Sequence, residues 1–204
     1  TKMFEKKIRK LPEGTINRIA AGEVVERPFS VVKELVENAI DADATRIDIT
    51  LGAGGKSLII VSDNGHGMTP DDMMLAIERH ATSKLPEGDG GDRLFRVSTL
   101  GFRGEALPSI GAVSKMTITS RPLQDLKTGG ETDINSAMQL DITAGKVGDL
   151  KPTSGSQGTR IEVRDLFFAT PARLKFLKAT GPKPQLLVMW FADWLWHIQR
   201  LVLV

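Results

Sequence analysis

At 204 residues, 41% hydrophobic and 25% charged, the chain can bury one sizeable core and reads as one principal domain. A formal charge of +2 is too small to mark a nucleic-acid binder by itself, and the lack of cysteine excludes a disulfide framework or a thiolate metal site. His66, His80 and His197 have no spacing that would assemble a metal centre, and with no secretory signal or N-terminal apolar segment a bacterial-type cytoplasmic protein fits best.

Taken in chain order, the periodicities predict a helix over Thr15 to Val25 and an amphipathic one from Pro28, a residue suited to a first turn, to about Ile40. Glu34 and Asn38 stand four positions apart on that helix and so share a face. A carboxylate there can take a proton from an attacking water, and an amide oxygen can ligate a hard cation such as Mg2+ that bridges nucleotide phosphates. The same helix, with Lys33, Glu37 and Asp41, can also be read as a solvated charged face. Glu34 is preferred to Glu37 as a base because it lies on Asn38's side. Strands RIDITL and SLIIVS follow, the second leaving into a loop with Asp63, Gly65 and Gly67. Glycines let backbone approach a planar ring, and Asp63, an acceptor only, can bond an exocyclic amino group such as that of adenine. By itself the D-x-G-x-G pattern also occurs in ordinary strand-end turns.

A helix near Pro70 to Arg79, with Met73 and Met74 as packing residues, precedes HATSK at residues 80 to 84. The glycine-rich, charged stretch after it is expected to form a mobile lid, and GFRGEALPSIG at 101 to 111 opens a further helix after Gly104. Amides at such a helix start can cradle phosphate, with Lys84 and Arg103 adding charge. No G-x-x-x-x-G-K-[ST] is present, so this is not a P-loop protein. Strands KMTITS, AMQLDIT and TRIEVRDL complete a sheet before a helix near Pro171, and Arg121 to Asp133 reads as a mobile surface loop. The expected architecture is an α+β two-layer sandwich, with helices on one face of a mixed, mainly antiparallel sheet and ATP held between helices and lid. KKIRK near the start and Arg164, Arg173, Lys175 and Lys178 are locally basic, a pattern more often a solvated face than a nucleic-acid site.

The succession IAAGEVVERP, KELVENAIDADA, DNGHGM, RHATSK, GFRGEALPSI and GTRIEVRDLFFATPARLKFL resembles the N-terminal ATPase domain of the MutL family of DNA mismatch-repair proteins. That family lies within the GHKL superfamily shared by gyrase, heat-shock chaperone and histidine-kinase ATP domains, and the likeness spans residues 8 to 179. The resemblance implies Glu34 as general base, Asn38 as Mg2+ ligand and Asp63 as adenine anchor in a loop with Gly65 and Gly67. It implies nucleotide contacts from Thr82, Ser83 and Lys84 and from Gly101, Phe102, Arg103, Gly104, Glu105, Ala106 and Leu107 in a lid over residues 80 to 107. Thr159 matches a position near the adenine and Asp63. ATP and Mg2+ are the implied ligands. Sequence-independent DNA binding, mismatch-recognition and downstream repair proteins, and an ATP-dependent homodimer of the full-length protein are the implied partners, with no membrane and a nucleoid-associated location during repair.

Two other classes bear on the same residues. Histidine kinases share the Asn38-like and D-x-G-x-G features, but no phosphoacceptor-histidine helix precedes them here. A truncated ATP-sensing interaction module would bind nucleotide and never turn it over. The resemblance stops before residues 180 to 204, where an apolar segment with all three tryptophans replaces the expected charged helix, and an altered end is the leading expectation, ahead of a packed helix or dimer contact. Asp193 and Arg200 argue against a membrane span there: each costs about 2.5 to 3.5 kcal/mol near a bilayer centre, which offsets about a dozen apolar residues. In the family, a second domain supplies a lysine to the γ-phosphate, so slow hydrolysis is expected of these residues alone.

Overall fold

The computed structural model describes residues 12–78, 105–123, 136–173, 175 and 202–203. Helix α1 (Glu13–Val24) follows Pro12, and α2 (Pro28–Asp41) starts on Pro28, whose missing N–H would have no intrahelical partner in a first turn. Val31, Val32, Leu35, Val36 and Ala39 form one buried stripe on α2, at a spacing that keeps them on the face toward the sheet. Each valine or leucine so buried contributes about 1.5 to 3 kcal/mol. The chain leaves α2 through Ala42 and a left-handed Asp43 at φ 57°, a conformation that aspartate tolerates better than most residues.

Strands β1 (Arg46–Gly52) and β2 (Leu58–Asp63) pair antiparallel around a 3-10 turn at Ala53–Gly55. Helix α3 (Pro70–Ala76) is started by a reciprocal cap in which the Thr69 hydroxyl accepts from the Asp72 N–H while Asp72 accepts from the Thr69 N–H. Helix α4 (Ala106–Val113) is buried over most of its length, and then come β3 (Lys115–Arg121), β4 (Ala137–Thr143), β5 (Lys146–Val147), β6 (Lys151–Thr153), β7 (Gly158–Arg164) and β8 (Val202–Leu203). The described strands form one eight-stranded sheet in the order β5-β4-β3-β7-β2-β1-β8, with β6 also on β4. Every pairing is antiparallel except β8 on β1. The expected α+β sandwich of helices on a mixed, mainly antiparallel sheet is therefore what the chain adopts.

Differences from the expected elements have local causes. The third helix ends at Ala76 rather than near Arg79, and Arg79 lies outside the described residues. Strands β5 and β6 carry two and three residues, too few for an alternation to register, and exist by pairing with β4. Arg121 belongs to β3, while positions 124–135 of the expected surface loop lie outside the described residues. The backbone is helical at 171–173 and 175, where a helix was expected. Of residues 180–204 only Val202–Leu203 are described, as an edge strand and not as helix.

Alternation along the central strands builds the core. Ile59 and Val61 on β2, Ile161 and Val163 on β7, and Met116 and Ile118 on β3 are buried, and the register sets Val61 beside Ile161 and Ile161 beside Ile118. Leu140 and Ile142 extend the layer through β4, and Leu35, Val36, Ile110 and Val113 of the helices join the same cluster. At one end the three central rows change character together. The next inward position is Asp63 on β2, Thr159 on β7 and Ser120 on β3, with Ser120 directly opposite Thr159.

Candidate functional site

That polar row is tightly bonded. Asp63 Oδ1 accepts the N–H of Gly65 at 2.9 Å and of Thr159 at 3.2 Å. Burial pushes the Asp63 carboxyl above its ordinary value, while the Gly65 and Thr159 amides and the nearby His66 act in the opposite direction. Ser120, 1% exposed, has its Oγ 2.9 Å from Thr159 Oγ1, 2.9 Å from the Met68 N–H that it accepts, and 3.1 Å from the Gly158 carbonyl. One arrangement satisfies all three: Thr159 donates to Ser120, and Ser120 donates to Gly158.

The loop from Asp63 to Gly67 is clamped on both sides. Asn64 Oδ1 accepts the N–H groups of Thr45 and Arg46, its Nδ2 donates to Thr45 Oγ1, and Gln157 Nε2 donates to the Gly65 carbonyl at 3.3 Å. The His66 N–H donates to the Ala42 carbonyl at 3.0 Å, and the His66 carbonyl accepts from Leu123 at 2.7 Å. The glycines have a reason beyond ligand approach. A Cβ at Gly65 would stand 2.5 Å from the Ala42 carbonyl oxygen, and one at Gly67, φ 68°, would stand 2.1 Å from that of Arg121. Close approach of protein backbone is thus one requirement that these glycines meet.

Contact with Ala42 brings α2 into the site. Glu34, Asn38 and Ala42 follow one another at four-residue steps, so they form one row along the helix, and Ala42 N–H donates to the Asn38 carbonyl at 3.0 Å. The row runs from Glu34, through Asn38, to the residue on which the Asp63 loop rests. Glu37 points elsewhere: it is 7% exposed and ion-paired with Lys33 at 2.7 Å. Among the described residues no cluster of three or more His, Cys, Asp or Glu could hold a metal. On that row the Asn38 amide and the Glu34 carboxylate both offer hard oxygen donors, and Asn38 as the ligand fits Mg2+ carried by phosphates.

Of the expected lid, Glu105, Ala106 and Leu107 are described. Glu105 is the N-cap of α4 and accepts the Ser109 N–H at 3.1 Å, and Leu107 is buried. Pro108 has no N–H, so the amide donors at this helix start are those of Ala106 and Leu107. Thr82, Ser83, Lys84, Gly101, Phe102, Arg103 and Gly104 lie outside the described residues. The structure thus brings together Asp63, Gly65, Gly67 and Thr159, with Asn38 one turn from their contact on α2. Sequence reasoning missed Ser120, Asn64 and Gln157. Ser120 had a signal, a polar residue at an inward position of the alternating KMTITS, but its partner is 39 residues away.

Two members of the basic group after β7 are engaged within the chain: Arg164 pairs with Glu162, and the Arg173 guanidinium lies 5.4 Å from the centre of the Phe167 ring, while Lys178 lies outside the described residues. Among the described residues no helix is long and apolar enough to cross a membrane.

Comparison with known proteins agrees with this fold. Residues 26–157 match the family described as histidine kinase-, DNA gyrase B-, and HSP90-like ATPase. The DNA mismatch repair protein MutL of Paramagnetospirillum magneticum is 62% identical over 172 residues, covering 84% of this chain and 26% of the relative. MutL of Rhodospirillum rubrum is 60% identical over 172 residues, covering 84% and 25%. This chain therefore spans about a quarter of the length of these relatives. Among solved structures, the ATPase domain of Aquifex aeolicus MutL complexed with ADP is 31% identical at a TM-score of 0.59, covering 84% of this chain and 54% of that one. The N-terminal domain of a DNA repair protein is 32% identical at a TM-score of 0.62, covering 81% and 43%.

Proposed function

Because the chain belongs to the histidine kinase-, DNA gyrase B- and HSP90-like ATPase family, in its MutL branch, we propose that it binds ATP with Mg2+ and hydrolyses it as the switch of a mismatch-repair protein. The observation that carries this reading is the Asp63 carboxylate: buried at the end of the core, with two backbone N–H groups on Oδ1, it keeps Oδ2 as an acceptor for an adenine amino group. Thr159, fixed through Ser120, lies beside it. ADP in the related Aquifex aeolicus domain supports the same ligand class.

In this reading Asn38 orients the phosphates, and Glu34, one turn away on the same row, accepts the proton of the attacking water. Mg2+ held through Asn38 would supply positive charge to the transferring phosphoryl group. Thr82, Ser83, Lys84 and the run from Gly101 to Leu107 are assigned to the nucleotide by the resemblance, and of these the Ala106 and Leu107 amides at the start of α4 are suited to bind an anion. Turnover by these 204 residues alone is expected to be slow, since in the resembling family a lysine from a second domain reaches the γ-phosphate. DNA contact, partner signalling, homodimerisation and a cytoplasmic, nucleoid-associated setting belong to the whole protein and rest on the same resemblance.

Calorimetric titration of ATP with and without Mg2+, paired with a phosphate-release assay, tests the reading. Saturable binding that Mg2+ tightens is expected. Binding with release that depends on Glu34 identifies a complete catalytic unit, binding without release identifies an ATP sensor, and no binding by folded protein sinks the site assignment.

A further inference from the structure

The loop after β7 stores strain at a junction of helices. Asp165 and Phe167 adopt left-handed φ values of 51° and 70°, and Phe167 is 1% exposed. The Phe167 N–H donates to the Val113 carbonyl at 2.8 Å, which pins the C-terminal end of α4, and Thr170 N–H returns to the Phe167 carbonyl at 2.9 Å. Arg173 spreads over this turn. Its guanidinium lies over the Phe167 ring at 5.4 Å, and its Nη2 donates to the Glu26 carbonyl at 3.5 Å, across 147 residues of sequence. Its Nη1 fills the place where a side chain at Gly22 would start, 2.5 Å from an ideal Cβ. With Ile19, Val113 and Pro171 these groups line a cavity of about 330 Å³, at the opposite end of α4 from Glu105.

We propose that Arg173 is a positioning residue for the nucleotide chemistry, holding the α1–α2 turn and through it the tilt of α2, which presents Glu34 and Asn38. The inference rests on the site reading above and assigns it a support far from the nucleotide. Glu26 stands just before Arg27, the N-cap of α2, and Arg27 makes no side-chain capping bond. Arginine has no acceptor with which to cap the first turn, and Arg173 reaches both sides of the link between the helices, Gly22 on α1 and Glu26 ahead of α2. Glu34 lies six residues beyond Pro28, about 9 Å along the axis. A tilt of roughly 5° pivoting at the turn moves it by roughly 0.8 Å, and a misplacement near 1 Å can cost about a hundredfold in rate. A planar guanidinium reaches the Phe167 ring, the Glu26 carbonyl and the space over Gly22 from separate atoms at once, whereas an ammonium offers a single point of contact.

ATP titrations in Mg2+ and in EDTA, on the whole 204-residue chain, test this. The readout is the factor by which Mg2+ tightens binding, which reports Asn38, while affinity in EDTA reports the Asp63 end. R173A and R173K should each shrink the Mg2+ factor by roughly tenfold, with affinity in EDTA within about twofold of the parent. G22A displaces the guanidinium while replacing a glycine in the last turn of α1 by the best helix former, so its Tm should hold or rise while its Mg2+ factor falls as in R173A. The double variant G22A/R173A should be no worse than R173A. G22A keeps the test decisive if R173A folds poorly. A full Mg2+ factor in G22A or in folded R173A, full rescue by lysine, or additive losses in the double variant overturns the proposal. N38A is the control: if the parent shows no Mg2+ factor, or N38A retains it, the α2 assignment itself fails and this inference with it. Loss in N38A with retention in G22A sinks Arg173 alone.

Discussion

Glu34 and Asp63 have different roles in the proposed reading, turnover and base recognition, and single substitutions should separate them. Glu34→Ala removes the proposed base, so phosphate release should fall by about a hundredfold to ten-thousandfold while ATP affinity stays within a few-fold, read by release assay and calorimetry on the same sample. Asp63→Asn keeps an oxygen to accept the Gly65 and Thr159 amides, but presents an NH2 where a base amino group needs an acceptor. ATP affinity should drop at least about tenfold while the buried charge disappears. Because the folded carboxyl holds its proton more tightly than the unfolded one, stability from Asp63 is fully present below the ordinary value of 3.8, is lost as pH rises through the raised folded value, and is level above that. Thermal melts should therefore show Asp63→Asn gaining on the parent across that window, and a gap that does not change with pH would contradict the assignment of a raised carboxyl.

At the scale of elements, Ser120 ties β3, β7 and the segment after the glycine loop, and Ser120→Ala should cost about 1 to 3 kcal/mol by leaving the Met68 N–H without its acceptor. Chemical denaturation measures this, and ATP affinity should fall with it because Thr159 loses its partner. Such ties explain what the sequence could and could not reveal. Helix α2 was legible because Pro28 and the valine-leucine stripe are local signals, and Glu34 and Asn38 could be paired from spacing alone. Strands β2, β3, β4 and β7 were legible from alternation. Their order was not, since β7 inserts between β3 and β2 far from both in sequence. Asp63 was found from its motif, whereas its bond to Thr159 spans 96 residues and was reached only through family resemblance. The fit of Gly65 and Gly67 against Ala42 and Arg121 has no sequence signature, because the partners are main-chain oxygens.

For the molecule as a whole, ligand linkage gives a test that needs no turnover. ATP at about a hundred times its dissociation constant should stabilise the parent by about 2.7 kcal/mol, seen as a rise in Tm, and Asp63→Asn at the same concentration should show little rise. The outer charges should matter less: Arg160, Glu162 and Arg164, like Lys115 with Asp165, pair at an exposed surface, where an ion pair is worth about 0 to 1 kcal/mol.

The central place of β7 also bears on how the protein is made. Until residues 158–164 leave the ribosome, β1 with β2 and β3 with β4 are two hairpins with no strand between them, each with an open inner edge. Insertion of β7 closes both edges in one event, and the same event delivers the Thr159 amide to Asp63. Nucleotide can recognise only a molecule whose sheet is already joined, so acquisition of ATP binding on the ribosome would time the completion of the fold.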